Sequence, residues 1–198
     1  MSVHDDKHKK GRNQAFYAIQ SDSTGQELIA CLDEGIDINH QDERGDTLLH
    51  WAVWNMRYEA QSILLDRGAD INMTNHKGAS PLHHICEREK NPRDLLILFL
   101  NRGANPLIEN AKGHTLYHKM AFYLHRFSSS SLHEVIGVLT KSHGFGGWHT
   151  VDHQGKTPLM IAQEKGNDQF PALIAALEKT EIEQATAPVS KSRSGLRL

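Results

Sequence analysis

The segment Gly45-Asp-Thr-Leu-Leu-His50 recurs three more times along the chain and indicates a repeated structural unit. The other copies are Gly78-Ala-Ser-Pro-Leu-His83, Gly113-His-Thr-Leu-Tyr-His118 and Gly155-Lys-Thr-Pro-Leu-Met160. Successive glycines are 33, 35 and 42 residues apart. Self-similarity at such a period is typical of an array in which one small structural unit is stacked on the next.

A second phrase recurs in phase with the first and precedes it each time. Its copies are Cys31-Leu-Asp-Glu-Gly-Ile-Asp-Ile-Asn39, Leu64-Leu-Asp-Arg-Gly-Ala-Asp-Ile-Asn72 and Phe99-Leu-Asn-Arg-Gly-Ala-Asn-Pro-Leu107. The Thr or Ser in each first phrase is placed to cap a helix N-terminus, whose first N–H groups need an acceptor. The first glycine of the second phrase suits the left-handed turn that ends a helix. Together the phrases predict a repeating unit of two helices and a turn.

These two phrases, recurring in phase, resemble those of the ankyrin repeat family over roughly residues 12–179. The resemblance implies an all-α solenoid of stacked helix-turn-helix units with β-hairpin fingers. It implies about three full repeats between two capping repeats. The expected divisions are a flexible N-terminal tail (1–11), an N-cap repeat (12–42), repeats at 43–75, 76–110 and 111–152, a C-cap repeat (153–179) and a disordered C-terminal tail (180–198).

Composition and charge narrow the class of protein. The apolar fraction of 38% and charged fraction of 23% are those of a soluble folded chain. A net charge of −2 gives no reason to expect a nucleic-acid or membrane surface. The longest apolar run, 95–100, is too short to span a bilayer, and the N-terminus lacks the pattern of a signal peptide. Cys31 and Cys86 have apolar neighbours and are interpreted as buried thiols, which favours the cytoplasm.

The C-terminal residues suggest one further possibility. An acidic cluster beginning at Glu178 precedes a small, polar and basic terminus. That composition is similar to the C-terminal signals of secreted bacterial effectors, which would place the protein in a host cytosol. The alternative is a solvated tail that carries no signal.

No group of residues predicts catalysis, a metal or a cofactor. His50, His83 and His118 occupy the same place in each repeat, where the resemblance implies a hydrogen bond to the neighbouring repeat. His114 and His118 have the spacing of two metal ligands on a helix, but no Cys or carboxylate is evidently placed to complete the site. The protein is therefore expected not to be an enzyme.

The resemblance also implies which residues line the concave face of the solenoid. These are the finger tips and the residues just past the core of each first helix. The predicted partner-binding residues are Arg44, Asp46, Trp54, Asn55, Lys77, Arg88, His114, Phe122 and Tyr123. An insertion in the finger of the fourth repeat, 142–149, adds Phe145 and Trp148 as an aromatic pair on a flexible tip. The alternative for Phe145 and Trp148 is packing against the last repeat.

Two hypotheses of function follow from this surface. The first is a non-catalytic module that binds a protein partner as a monomer, since Trp, Tyr and Arg are the usual hot-spot residues of interfaces. The second is a receptor for a nucleotide or short nucleic acid held by stacking and phosphate pairing. The near-neutral charge argues against a polyanion, so nucleic acid is not the expected partner.

Overall fold

The computed structural model describes residues 14–21 and 24–186. These residues contain ten α-helices arranged as five consecutive pairs. The helices are α1 (14–21), α2 (Gln26–Asp33), α3 (Leu48–Trp54), α4 (Tyr58–Asp66), α5 (Pro81–Arg88), α6 (Arg93–Asn101), α7 (Leu116–Phe122), α8 (Ser129–His143), α9 (Pro158–Glu164) and α10 (Gln169–Thr186). Single 3₁₀ turns lie at Leu124–Arg126 and Gly146–Trp148.

The recurring first phrase begins the first helix of each pair. Thr47 Oγ1 accepts a hydrogen bond from the backbone N–H of His50 at 3.3 Å, while His50 Nδ1 accepts one from the Thr47 N–H at 3.2 Å. This reciprocal pair satisfies two N–H groups that have no partner inside the helix. Pro81 and Pro158 occupy the first position of α5 and α9, where a missing N–H costs nothing. The helix starts predicted from the sequence are confirmed.

The recurring second phrase ends the second helix and joins it to its neighbour. Gly68 follows α4 with a φ of 85°, a conformation that favours glycine. Asn39 Oδ1 then accepts a hydrogen bond from the Asp70 N–H at 2.8 Å. Asn72 Oδ1 accepts one from the Asn105 N–H at 2.7 Å, in the next repeat along. The asparagines recur because each satisfies a backbone donor of the following repeat.

The core is a continuous apolar layer along the stack. The first helices pack in series, α3 on α5, α5 on α7 and α7 on α9, and α6 packs on α8 behind them. Fully buried members of the layer include Leu49, Leu64, Leu82, Phe99, Ile136 and Leu139. One unit alone would leave such a face exposed, so stacking supplies the burial that stabilises the fold.

The fingers are four turns with hairpin hydrogen bonds at their bases. The closing bonds run from the N–H of Asp42, Asn75, Asn110 and Asp152 to the carbonyl four residues on, at 2.9–3.0 Å. Gln41 and Thr47 form an isolated antiparallel bridge, and the described part of the chain has no longer strand. Successive tips are joined through the main chain, with His76 N–H donating to Arg44 O and Ala111 N–H to Lys77 O. His153 N–H donates to Lys112 O and continues this ladder.

Two parts of the chain differ from expectation. Helix α10 continues to Thr186, so residues 180–186 are helical where a disordered tail was predicted. The helix extends there because residues 178–186 contain good helix formers and no Gly or Pro. The predicted N-terminal tail, 1–11, and the basic residues 187–198 behind the secretion-signal hypothesis lie outside the described residues.

Candidate partner-binding face

The recurring histidines stabilise the stack and offer no free group for chemistry. The Nδ1 atoms of His50, His83 and His118 each accept a hydrogen bond from the N–H of the cap residue at 3.2 Å. The proton must then lie on Nε2, which donates to a carbonyl of the next repeat at 2.9–3.2 Å. Burial keeps these rings neutral and lowers the pKa of His83 to about 4. The predicted architectural role of all three histidines is confirmed.

The concave face has an open cavity at its N-terminal half. This cavity, called the Trp54 cavity below, has a volume of about 540 Å³ and lies between the first two finger tips and helices α3 and α5. Its volume is within the range of ligand-binding pockets. Five predicted residues line it, namely Arg44, Asp46, Trp54, Asn55 and Lys77.

Trp54 dominates one wall of the Trp54 cavity. Its side chain is 45% exposed, an unusual degree for so large an apolar group. The guanidinium of Arg88 lies 4.6 Å from the centre of the indole ring, and Arg88 Nε donates to the Trp54 carbonyl at 2.9 Å. The ring of His84 meets the indole edge-on at 5.3 Å. Trp54 is therefore held in place while much of its apolar surface faces solvent.

Seven residues that line the Trp54 cavity are absent from the predicted partner-binding residues, among them Gln20, Trp51 and His84. The ring of Trp51 contacts that of Phe16, with centres 5.4 Å apart, and Trp51 also lines the cavity. Trp51 and His84 occupy the same position in successive first helices. Because the two residues share this register, identifying either one as a cavity residue would have predicted that the other lines the cavity too. Gln20 belongs to the N-cap repeat, whose sequence carries no matching phrase.

Two carboxylates near the Trp54 cavity, Asp42 and Asp46, already have partners within the chain. Asp42 accepts a hydrogen bond from Trp51 Nε1 at 3.0 Å, and Asp46 accepts one from Asn75 Nδ2 at 2.7 Å. Arg44 lies 3.7 Å from Asp42 and 3.5 Å from Asp46. Burial alone would raise the pKa of Asp42, but the bonds from Trp51 and from backbone N–H groups lower it.

The C-terminal half of the concave face is occupied by contacts within the chain. Glu87 forms an ion pair with Lys119, and its other oxygen lies 3.2 Å from His84 Nδ1. Burial opposes ionisation of Glu87, yet the bonds from His84 and Lys119 lower its pKa to about 2. Asp152 lies 3.3 Å from His114 Nε2, and Lys156 pairs with Glu164 at 2.6 Å.

The predicted aromatics of this half are also engaged. Phe122 packs against His114 at 5.2 Å, and the Lys165 ammonium lies 5.7 Å from its ring. Arg126 lies over Tyr123 at 5.1 Å. A polar cleft of about 730 Å³ runs beneath Phe122 to the loop after α9. Three predicted residues, His114, Phe122 and Tyr123, are therefore separate from the Trp54 cavity and half-buried.

The prediction that Trp148 lies on an exposed tip is wrong. Its side chain is fully buried, edge-on to Tyr117 at 4.8 Å and to Phe170 at 5.2 Å. The close approach depends on Gly147, because a Cβ there would overlap the Tyr117 ring. Phe145 is half-buried and borders a small groove of about 260 Å³ between α8 and α10. The insertion folds back onto the last repeats, as the alternative interpretation held.

Comparison with known proteins identifies the repeats. The family model described as ankyrin repeats, in three copies, matches residues 2–75. Ankyrin repeats are thus found over residues 2–75, and the all-helical architecture of the described residues is consistent with an ankyrin repeat solenoid. None of its described helices is long and apolar enough to cross a membrane.

Several known proteins are similar to this chain. The chain is 32% identical over 148 residues to the B-cell lymphoma 3 protein homolog of Mus musculus, covering 74% of this chain and 31% of that protein. It is 27% identical over 177 residues to YahD of Escherichia coli, named as an ankyrin repeat protein, covering 74% of this chain and 87% of YahD. It is 30% identical over 117 residues to a protein of Dictyostelium discoideum named as a serine/threonine kinase, covering 56% of this chain and 14% of the kinase.

The chain spans about a seventh of the length of that kinase. The kinase activity in that name therefore belongs to a much longer protein, and this chain matches only a small ankyrin part of it. Ankyrin repeats are generally protein-interaction modules without catalytic activity.

Proposed function

We propose that this protein is a non-catalytic interaction module and that a protein partner binds at the Trp54 cavity. The observation that carries the proposal is an open cavity of about 540 Å³ walled by a tryptophan that is 45% exposed and held by Arg88. Trp and Arg are over-represented among the few residues that supply most of the binding energy at interfaces.

The rigidity of the cavity supports this function. Its tips are joined by the bond from His76 N–H to Arg44 O at 3.0 Å. Its floor is the helix α3, whose start is fixed by Thr47 and His50. A surface that is already ordered loses little conformational freedom on binding, so more of the contact energy appears as affinity.

The contrast between the two halves of the concave face supports this choice of site. In the C-terminal half, Glu87 and Lys119 satisfy one another, and a partner would have to break that pair to use either charge. Breaking a partly buried pair leaves an uncompensated charge and is costly. The Trp54 cavity presents no such cost, because Trp54 already faces solvent.

The second candidate is a nucleotide receptor at the same place. The observation that favours it is the juxtaposition of Trp54 with Arg88 and Lys77 at one cavity, since an indole can stack on a base and cations can pair with phosphate. The cytosol is the proposed location, with the buried free thiols Cys31 and Cys86 suited to a reducing compartment. The chain is proposed to act as a monomer, and secretion is not part of this proposal.

Peptide display against the full chain tests the function. Selected peptides should bind the wild type and lose at least about tenfold in affinity to a Trp54→Ala variant, equivalent to about 1.4 kcal/mol. The matched control is Leu107→Ala, which removes a similarly exposed side chain, at 42%, from the loop after α6. Peptides that bind Trp54→Ala as tightly as the wild type would contradict the proposed site. Binding of ADP without any peptide binder would favour the receptor hypothesis.

A further inference from the structure

The loop between α3 and α4 holds a methionine in a backbone conformation that favours glycine. Met56 has a φ of 53°, and among the described residues it is the only one other than glycine with a positive φ. Its N–H donates to Val53 O at 3.0 Å, and the N–H of Arg57 donates to Ala52 O at 2.9 Å. This pair of bonds is a Schellman motif, which ends a helix with one left-handed residue. A side chain at that residue crowds the following carbonyl, so the position is costly for methionine.

The same motif elsewhere in the chain contains glycine. Gly166 ends α9 with a φ of 78°, and its N–H and the next one donate to carbonyls of α9 at 2.8 and 3.0 Å. Met56 and Gly166 thus occupy matching places, each after the first helix of its repeat. Gly68 and Gly103 end second helices in the same way. A glycine is therefore sufficient to end a helix here, and the Met56 side chain is not needed for that purpose.

Packing within the chain does not offset the backbone cost of Met56. The side chain is 43% exposed. It is not among the apolar side chains of the described residues that pack against the core. Costly backbone conformations of this kind cluster at binding and catalytic sites. The observation therefore directs attention to what lies next to Met56 on the surface.

Met56 lies between two exposed aromatic side chains that both contact the end of α5. Trp54 precedes it by two residues and packs against the Arg88 guanidinium, which lies 4.6 Å from the ring centre. Tyr58 follows it by two residues, is 56% exposed, and donates its hydroxyl hydrogen to Glu89 Oε2 at 2.8 Å. Trp54, Met56 and Tyr58, called the Met56 edge below, therefore form an exposed apolar rim that begins at the Trp54 cavity.

Charge around the Trp54 cavity favours neither an acidic nor a basic partner. In the described part of the chain, three carboxylates there are balanced by three cations: Asp42, Glu43 and Asp46 against Arg44, Lys77 and Arg88. The three side chains of the Met56 edge are uncharged. Apolar contact is therefore the chemistry that this part of the surface offers to a partner.

We propose that Met56 is a partner-contact residue, and that the protein segment filling the Trp54 cavity continues over the Met56 edge and places a second apolar side chain on Met56. This inference rests on the proposed function and adds to it the chemistry of the partner, a segment with two apolar side chains. Methionine suits such a contact, because its flexible and polarisable side chain adapts to the shape of the group that it meets.

Peptide binding and thermal stability, measured on the same variants of the full chain, test this inference. The probes are fluorescein-labelled 12-residue peptides selected by display on the wild type, with affinities measured by fluorescence polarisation. Met56→Gly should raise the melting temperature by about 2–4 °C, because the left-handed position suits glycine. The same variant should weaken binding at least about fivefold. A residue that served only the fold would not change these two properties in opposite directions.

Two further substitutions separate the side chain from the backbone. Met56→Ala removes the side chain but keeps a Cβ at the left-handed position, so it should weaken binding as much as Met56→Gly without raising the melting temperature. Met56→Leu keeps an apolar side chain and should bind within about threefold of the wild type. The matched control is Leu107→Ala, which truncates a similarly exposed side chain, at 42%, and should leave binding unchanged.

A double-mutant cycle identifies the second apolar side chain of the partner. Each apolar residue of a selected peptide is replaced by Ala in turn, and each product is measured on the wild type and on Met56→Ala. One replacement should weaken binding to the wild type at least about threefold more than it weakens binding to Met56→Ala. If no peptide residue is coupled to Met56 in this way, the second contact is overturned.

The outcomes separate this inference from the proposed function. Peptides that lose affinity for Trp54→Ala but bind Met56→Gly as tightly as the wild type would overturn the role of Met56 and leave the cavity as the site. Peptides that need Met56 but not Trp54 would overturn the proposed site. A lower melting temperature in Met56→Gly would mean that the side chain packs within the chain, and would overturn the inference. A library that yields no peptide would overturn both.

Discussion

Trp54 and Trp148 were both predicted from the sequence to be partner-binding residues, but the structure places them in opposite environments. Both were expected to contact a partner, one beside a first helix and the other on an inserted finger. Trp54 is 45% exposed beside an open cavity, whereas Trp148 is fully buried between Tyr117 and Phe170. The residue type therefore did not decide the outcome.

The neighbours of each tryptophan explain the difference. Beside Trp148, Gly147 has no side chain, so the ring of Tyr117 can come within contact distance of the backbone. Beside Trp54, Arg88 lies over the indole ring and His84 packs perpendicular to it, yet the residue stays 45% exposed. Whether an aromatic side chain is exposed therefore depends on which neighbours can pack against it. Three substitutions test this contrast, and a change of pH tests the interior of the stack.

The largest effect is expected from Trp148→Ala. Truncating a fully buried aromatic leaves a cavity next to Tyr117 and Phe170, and should cost about 3–5 kcal/mol of unfolding free energy. Urea denaturation followed by circular dichroism measures this loss. A loss below about 1 kcal/mol would mean that Trp148 is not packed in the core, and would contradict the contrast between a buried Trp148 and an exposed Trp54.

Acid should destabilise the interior of the stack by a similar amount. Burial, helped by the charges of Lys119 and His84, lowers the pKa of His83 to about 4, against about 6.5 in the unfolded chain. Between those values the unfolded chain binds a proton that the folded chain does not, so stability falls as pH drops through this window. The loss from His83 should reach about 3 kcal/mol by pH 4.

Thermal unfolding at pH values from 7 to 4 measures this dependence. The pKa values of His50 and His118 are also lowered by burial, and these residues act with the same sign. A His83→Gln variant should be less stable at pH 7 and should show a shallower dependence on pH. Parallel profiles for the wild type and the variant would show that His83 does not carry the effect.

Gly147→Ala should destabilise the insertion more modestly. The new methyl group would overlap the Tyr117 ring, which is itself fully buried and has no room to move. Overpacking of this kind typically costs about 1–3 kcal/mol. The denaturation midpoint of Gly147→Ala, set against Gly146→Ala as a control with open space around it, measures the cost. Equal midpoints would mean that the insertion adapts freely.

Trp54→Ala should have the smallest effect on stability, about 1–2 kcal/mol, because almost half of the side chain is already exposed. Its effect on binding should be the larger one, as proposed above. The unfolding free energy and the peptide affinity, measured on the same preparation, separate the two. A stability loss equal to that of Trp148→Ala would make Trp54 a core residue and remove the reason for proposing a site.

Sequence alone predicted the elements that depend on repetition. The capping residues Thr47 and Ser80 recur with the same neighbours, so each copy of the phrase predicts the helix N-cap that its Thr or Ser forms. The packing of Trp148 was beyond the sequence, because it depends on Tyr117 and Gly147 meeting across 30 residues of chain. The pairing of Glu87 with Lys119, which occupies the C-terminal half of the groove, is likewise a contact between repeats that no local pattern specifies.

The ladder between the finger tips has a consequence for how this surface can change. Each tip is held to the next by main-chain atoms, His76 N–H to Arg44 O and Ala111 N–H to Lys77 O. The spacing of the tips therefore does not depend on which side chains stand at 44, 77 or 112. Selection, or an engineer, can replace those residues to suit a different partner while the scaffold beneath them keeps its geometry.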